Sequence, residues 1–270
     1  MTGLLVAIGL SVVAAAAVMT VTALVARRQG RVAVVDVAWG AAFAVAALAC
    51  AVAAAVLDAG TPWRTGLLAA LVVVWGGRLA GHVGRRVARD TEEDPRYEEL
   101  LGGTLAEVGM ARAVRKVFAL QGAIVPVVAL PVSVGAVLEV RWWPVVVAGA
   151  GVWAVGLFFE AVGDAQLAAY RSRPRDERPP VLDTGLWAWT RHPNYFGDAC
   201  VWWGLWLVGG LGSGWVAGLA TVVAPLAMTW FLSEVTGARL LERRMMHRPG
   251  YAAYAARTPR LVPRPPRRAP

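Results

Sequence analysis

Long, nearly uninterrupted apolar runs govern what this chain can become. Crossing the ~30 Å hydrocarbon core of a bilayer as a helix takes about 20 apolar residues. Such runs recur at 3–26, 32–57, 65–83, 117–138, 143–162, 196–211 and 215–232. The pattern predicts an all-α polytopic membrane protein with seven transmembrane helices. The short sixth run would begin deeper in the preceding loop or be sheltered by its neighbours. Hydrophobic residues make up 57% of the 270, charged residues 17%, and mean hydropathy is +0.53. That balance excludes a disordered chain, a collagen-like chain and most soluble enzymes.

The arginines orient the spans. With the N-terminus outside, 24 of the 27 Lys and Arg residues fall in inner segments, only Arg64 and Arg141 fall outside, and Arg78 lies within a span. Such a split predicts a cytosolic C-terminus, and an even number of spans would scramble it. Trp63, Trp142, Trp143 and Trp215 then sit at outer span ends as an aromatic belt. The first run is followed rather than preceded by arginines, unlike a signal peptide. The net charge of +9 is thereby explained by topology and attraction to anionic lipid, with no need for nucleic acid. Cys50 and Cys200 both lie in apolar runs and read as small buried side chains. The three histidines, His82, His192 and His247, are too scattered to predict a metal site.

Ionisable groups inside spans are costly and call for a partner or a function. Asp36, near the start of the second run, is either a helix-start carboxylate close to Arg31 or a site carboxylate. Arg78 and His82 are one turn apart on the third run and share a face. Glu160, Asp164, Leu167 and Arg171 form one stripe on a helix leaving the fifth run, either an ion-paired helix end or the lining of a polar site. The densest polar cluster is 185–198, where Arg191, His192, Asn194, Tyr195 and Asp198 lead into the sixth run. Pro193 favours an extended residue before it, and backbone amides at a helix start attract anionic groups. In the tail, Leu240, Leu241, Met245 and Ala252 suggest an amphipathic helix beside Glu242, His247, Tyr251 and Tyr254. Gly210, Gly212, Gly214 and Gly218 imitate a dinucleotide loop, but no strand precedes them.

Several motifs carry a family resemblance. They are Glu93-Asp94-Pro95-Arg96-Tyr97, Leu120-Gln121-Gly122, Asp164-Ala165-Gln166 and Gly185-Leu186-Trp187, then Arg191-His192-Pro193-Asn194-Tyr195-Phe196-Gly197 and Pro249-Gly250-Tyr251-Ala252-Ala253-Tyr254. In this order, across roughly 36–263, the chain resembles bacterial members of an uncharacterised integral-membrane family related to the C-terminal domain of steroid 5-alpha-reductases. The resemblance implies a multi-pass protein of the bacterial cytoplasmic membrane that reduces a C=C bond of a lipophilic enone with NADPH. It implies cofactor contacts from Asp164, Arg171, Arg191, His192, Asn194, Tyr195, His247 and Tyr251; Asp36 and Arg78, the ionisable groups within the second and third runs, are the catalytic candidates. Within one membrane domain, 1–116 would form the lipid-substrate half, 117–263 the cofactor half and 264–270 a disordered basic tail.

The steroid enzymes hold the ketone with a glutamate on the second span and a tyrosine on the third. Here Asp36 stands nearest to the glutamate, and the third run has Trp75-Gly76-Gly77-Arg78 with no tyrosine. Two other classes compete. Membrane methyltransferases of the isoprenylcysteine and phospholipid type share an Arg-His-Pro-x-Tyr run and bind S-adenosylmethionine, for which Glu242 could serve. A non-catalytic lipid-binding membrane protein would bind no nucleotide.

Overall fold

The structure is a computed structural model that describes residues 2–89, 92–235 and 238–266. These residues are helical, with no strand among them. In chain order the α-helices are α1 (Thr2–Gln29), α2 (Val35–Val56), α3 (Pro62–Arg89), α4 (Pro95–Leu101), α5 (Leu105–Val108), α6 (Met110–Ala113), α7 (Ala119–Val128), α8 (Leu130–Val137), α9 (Trp143–Ser172), α10 (Pro193–Leu205), α11 (Trp215–Thr221), α12 (Val223–Trp230), α13 (Ala238–Met245) and α14 (Tyr251–Arg257). Wider π turns at Val114–Phe118, Trp206–Gly210 and Phe231–Val235 join several of them. Arg267 and Arg268 of the expected basic tail fall outside the described residues.

Five helices are long and apolar enough to cross a membrane: Thr2–Gln29, Val35–Val56, Pro62–Arg89, Trp143–Ser172 and Trp215–Glu234. The run at 117–138 is broken instead of straight. Met110–Val128 and Leu130–Val137 meet at 42°, and counting them as one span gives six. Pro126 removes a hydrogen bond inside α7 and Pro131 opens α8, which accounts for the break. The run at 196–211 forms α10, which starts at Pro193 and passes at Leu205 into the π turn Trp206–Gly210. Helices α3 and α9 outrun their apolar stretches and carry polar side chains on their last turns.

The chain forms two compact units, Met1–Val146 with Leu205–Ala224, and Val147–Gly204 with Pro225–Pro270. In the first, α2 and α3 touch backbone to backbone. A Cβ on Gly40 would lie 2.5 Å from the Gly76 carbonyl oxygen, and one on Gly76 would lie 2.5 Å from that of Gly40. Phe43 packs edge-on against Trp75 with ring centroids 5.7 Å apart. Ser11 of α1 shares a 2.9 Å hydrogen bond with Ser133 of α8 and lies 3.3 Å from Cys50 Sγ of α2. Cys50 is buried, Cys200 is half-buried, and both are free thiols. Arg64 differs from its expected place at an aqueous outer end. It is fully buried, donating to Ser213 Oγ at 2.8 Å and to the Leu138 carbonyl at the end of α8. Trp63, Trp142, Trp143 and Trp215 are all exposed.

In the second unit α9 and α10 share a glycine seam. Gly149, Gly156 and Gly163 recur every seven residues on α9, and Gly197 and Gly204 do so on α10. A Cβ on Gly197 would meet the Glu160 amide nitrogen and the Gly156 carbonyl oxygen, both at 2.5 Å. One on Gly204 would meet the Trp153 amide nitrogen at 2.6 Å. Small residues let the two backbones approach this closely. The tail is two helices instead of one, because Gly250 takes φ +78° between α13 and α14.

Candidate functional site

The seam ends in a polar cluster at the junction of α9, the loop before α10, and the tail. Asn194, at the start of α10, donates from Nδ2 to Asp164 Oδ1 on α9 at 3.1 Å. Its own Oδ1 accepts from the Tyr195 amide. Two further motifs dock beside them. Gln166 Oε1 accepts from the Leu186 amide at 3.0 Å, and Trp187 Nε1 donates to the Gly163 carbonyl at 3.1 Å. Gly185 sits at φ +60°, a conformation that favours glycine, and a Cβ there would lie 2.4 Å from the Gln166 side-chain nitrogen.

The tail supplies the other wall. Glu242 of α13 accepts from His192 Nε2 at 2.9 Å and pairs with Arg191 Nε at 3.2 Å. His192 is buried, and its ring stacks on Tyr195 at 5.3 Å with planes 4° apart. Tyr254 donates its hydroxyl to the Trp187 carbonyl at 2.6 Å, and Tyr251 packs edge-on against it. The segment after α14 is tied to the loop through its backbone. The Arg191 amide bonds to the Pro259 carbonyl and the Arg264 amide to that of Trp189, while Thr190 Oγ1 donates towards Arg260 and Leu261. Burial, reinforced by the charge of Glu242, pushes the Tyr251 hydroxyl up to about 12. Burial and the neighbouring Tyr251 raise Tyr254 as well.

At the end of α9 the character turns basic. Arg171 is exposed on the last turn, and Arg178 folds back to donate to the Arg171 and Arg173 carbonyls at 2.5 and 2.7 Å. Its guanidinium lies 5.5 Å from the centre of the Tyr170 ring, and its Nε is buried without an acceptor among the described residues. His247 is exposed in the turn between α13 and α14, away from the stacked ring of His192 in character and burial.

The first unit gathers a different set. Asp36, on the first turn of α2, accepts from Arg96 at 2.9 Å, from Arg86 at 3.4 Å and from the Tyr97 hydroxyl. Its partners are thus the Glu93–Tyr97 motif and the last turn of α3, whereas Arg31 donates to the Val87 carbonyl. Glu93 accepts from the amides of Val32, Ala33 and Asp94, which fastens the loop to the start of α2. Burial works to raise the Asp94 carboxyl, but the hydrogen bonds and charge of Arg96 outweigh it and hold it low. The hydrogen bond to Asp94 in turn raises Arg96. Burial and the charge of Asp36 push Tyr97 well up. Arg78 and His82 are half-buried one turn apart on α3.

Of the expected cofactor set, Asp164, Arg191, His192, Asn194, Tyr195 and Tyr251 therefore converge in the second unit. Arg171 and His247 stand exposed at its edge. Asp36 and Arg78 both belong to the first unit. Sequence reasoning missed Tyr97 on Asp36 and undervalued Glu242. For Tyr97 the available signal was its motif, Glu93-Asp94-Pro95-Arg96-Tyr97, adjoining the only carboxylate of the second run.

Residues 22–258 match the family described as protein of unknown function (DUF1295). The chain belongs to this family. No curated protein and no solved structure matched it. The DUF1295 match spans both clusters, from the last turns of α1 to the end of α14.

Proposed function

We propose that this DUF1295 protein is a membrane-embedded reductase that uses NADPH on a C=C bond of a lipophilic enone. The observation that carries the reading is the Asp164–Asn194 hydrogen bond at 3.1 Å, with Arg191 and His192 held beside it by Glu242 and Tyr195 stacked on His192. Polar groups from three distant chain segments are thereby pre-organised at one end of a helix pair.

The residues suit a phosphorylated dinucleotide. Arg178 has a buried Nε lacking an acceptor among the described residues, and planar guanidinium donors match phosphate. The flat His192–Tyr195 stack and the Tyr251–Tyr254 pair offer aromatic walls. When bound, NADPH would supply the hydride, while this chain's own residues bind, orient and move a proton. In that reading Asn194 and Asp164 offer an amide and a carboxylate to neutral polar groups, and Arg171 and Arg178 take the phosphates. Asp36 and Arg78, both of the first unit, are the residues proposed for catalysis. Tyr97 joins them as the hydroxyl that Asp36 orients, the counterpart of the tyrosine absent from the third run. The relationship to steroid 5-alpha-reductases, seven spans with a cytosolic C-terminus, and a bacterial cytoplasmic membrane belong to the same proposal.

Glu242 argues against the methyltransferase alternative. The carboxylate that S-adenosylmethionine would need is already shared by Arg191 and His192. The test is direct binding of NADPH and S-adenosylmethionine to the detergent-purified protein and to Asn194→Ala. NADPH binding weakened about tenfold by that change, the worth of one hydrogen bond, is expected. Preference for S-adenosylmethionine would install the methyltransferase, and binding of neither would leave a non-catalytic lipid-binding protein.

A further inference from the structure

The first unit has a feature that the motif residues do not explain. A groove of about 560 Å³ runs between α1 and the helical stretch that begins at Met110. Along α1 its wall is a stripe of residues three and four apart, from Val12 to Arg27. The floor is Met19 and Phe118, 4% and 2% exposed. Its lining includes the small residues Ala16, Ala23, Ala119 and Gly122, and a Cβ on Gly122 would lie 3.4 Å from Met19 Cγ.

Its proportions restrict the occupant. From Val12 to Arg27 the stripe rises about 22 Å at 1.5 Å per residue. Spread over that length the volume makes a long, narrow channel, the shape of one extended hydrocarbon chain. One leaflet of a bilayer core is about 15 Å deep, so a single acyl chain and the glycerol above it fill the length. Arg27 closes one end, exposed in the last turn of α1, with no acidic partner among the described residues. A phosphate matches a guanidinium in charge and geometry.

We propose that this groove binds a phospholipid of the leaflet on the Arg27 side, with one acyl chain lying over Met19 and Phe118 and the phosphate on Arg27. Hydrophobicity does not drive the preference, because lipid tails elsewhere are equally apolar. Close fit and the charge-assisted contact do. The Met19 thioether adapts its shape to the chain. The inference stands apart from the reductase reading.

The protein is reconstituted into phosphatidylcholine liposomes holding a trace of phosphatidylglycerol with a photoreactive diazirine midway along one acyl chain. After illumination the labelled peptides are mapped. Labelling is expected to concentrate on the peptides bearing Met19 and Phe118 and to be displaced by unlabelled phosphatidylglycerol but not by cholesterol. The double variant Ala16→Leu/Ala119→Leu fills the groove and should cut that labelling about fivefold relative to other lipid-facing peptides of the same molecule, an internal control for folding. Arg27→Gln should weaken competition by phosphatidylglycerol about fivefold, the worth of one arginine at a membrane surface. Even labelling of all lipid-facing helices, labelling indifferent to the filled groove, or equal displacement by cholesterol would each overturn the proposal.

Discussion

Replacing Gly197 by alanine tests the seam and the site together. The new methyl would start 2.5 Å from two backbone atoms of α9, the Glu160 amide nitrogen and the Gly156 carbonyl oxygen. Neither can rotate away as a side-chain end would. Reaching ordinary contact near 3.4 Å requires α10 to retreat by about 0.9 Å. A gap of 0.5–1 Å already forfeits about a quarter to a half of each dispersion contact, and overpacked sites typically cost about 1–3 kcal/mol. Asn194 lies one turn before Gly197, so the same retreat stretches its 3.1 Å bond to Asp164 beyond hydrogen-bonding range. Gly151→Ala is the matched control. It lies on the same α9, a Cβ there meets nothing within 4 Å, and alanine should gain about 0.5–1 kcal/mol in helix preference. Thermal unfolding in detergent and NADPH binding are measured on both variants. Gly197→Ala should melt lower, by about 2–4 °C per kcal/mol, and bind NADPH at least about tenfold more weakly. If the two variants melt and bind alike, the seam does not position Asn194 and the reasoning fails.

Other perturbations reach separate parts of the molecule. Tyr254→Phe leaves the buried Trp187 carbonyl without its 2.6 Å donor and should cost about 1–3 kcal/mol by denaturant titration. Asp36→Asn removes the charge shared by Arg86 and Arg96, so limited proteolysis should cut faster near 92–97 while the second unit stays protected. Because the folded state holds the Tyr251 proton up to about 12 against an ordinary 10.0, stability should fall as pH rises from about 10 to 12 and level off above, with Tyr251→Phe flattening that part of the curve. Asp94 has the opposite sign. Its contribution is complete above the ordinary carboxyl value of 3.8 and disappears as pH falls through its lower folded value, which acid titration of Asp94→Asn should reveal as a smaller loss.

How much of this was legible in residues alone depends on the range of the interaction. Helical character and membrane-crossing length follow from runs of apolar side chains, a local property, and they persist in five helices and a bent pair. The bend was legible too, in Pro126 and Pro131, but a count of apolar residues ignores where a missing amide breaks the ladder. The heptad of Gly149, Gly156 and Gly163 was visible as spacing, yet only the opposing Gly197 and Gly204 give it meaning, and they lie beyond a polar loop. Asp36 shows the same limit. Its sequence neighbour Arg31 turned elsewhere, and its ligands came from about fifty and sixty residues away, because loop length costs little once Glu93 has fastened the loop. Arg64 was misplaced because arginine near a span end normally seeks water. Here the open carbonyl of Leu138 and the hydroxyl of Ser213 take that role.

The bonds from Thr190 and Arg191 to the stretch 259–261, and from His192 to Glu242, have a consequence for biosynthesis. A ribosome delivers the 190–198 loop about fifty residues before Glu242 and about seventy before the stretch 259–261. Until Glu242 emerges, a buried histidine and an arginine wait without their carboxylate, and the corner is finished only once the stretch 259–261 has followed.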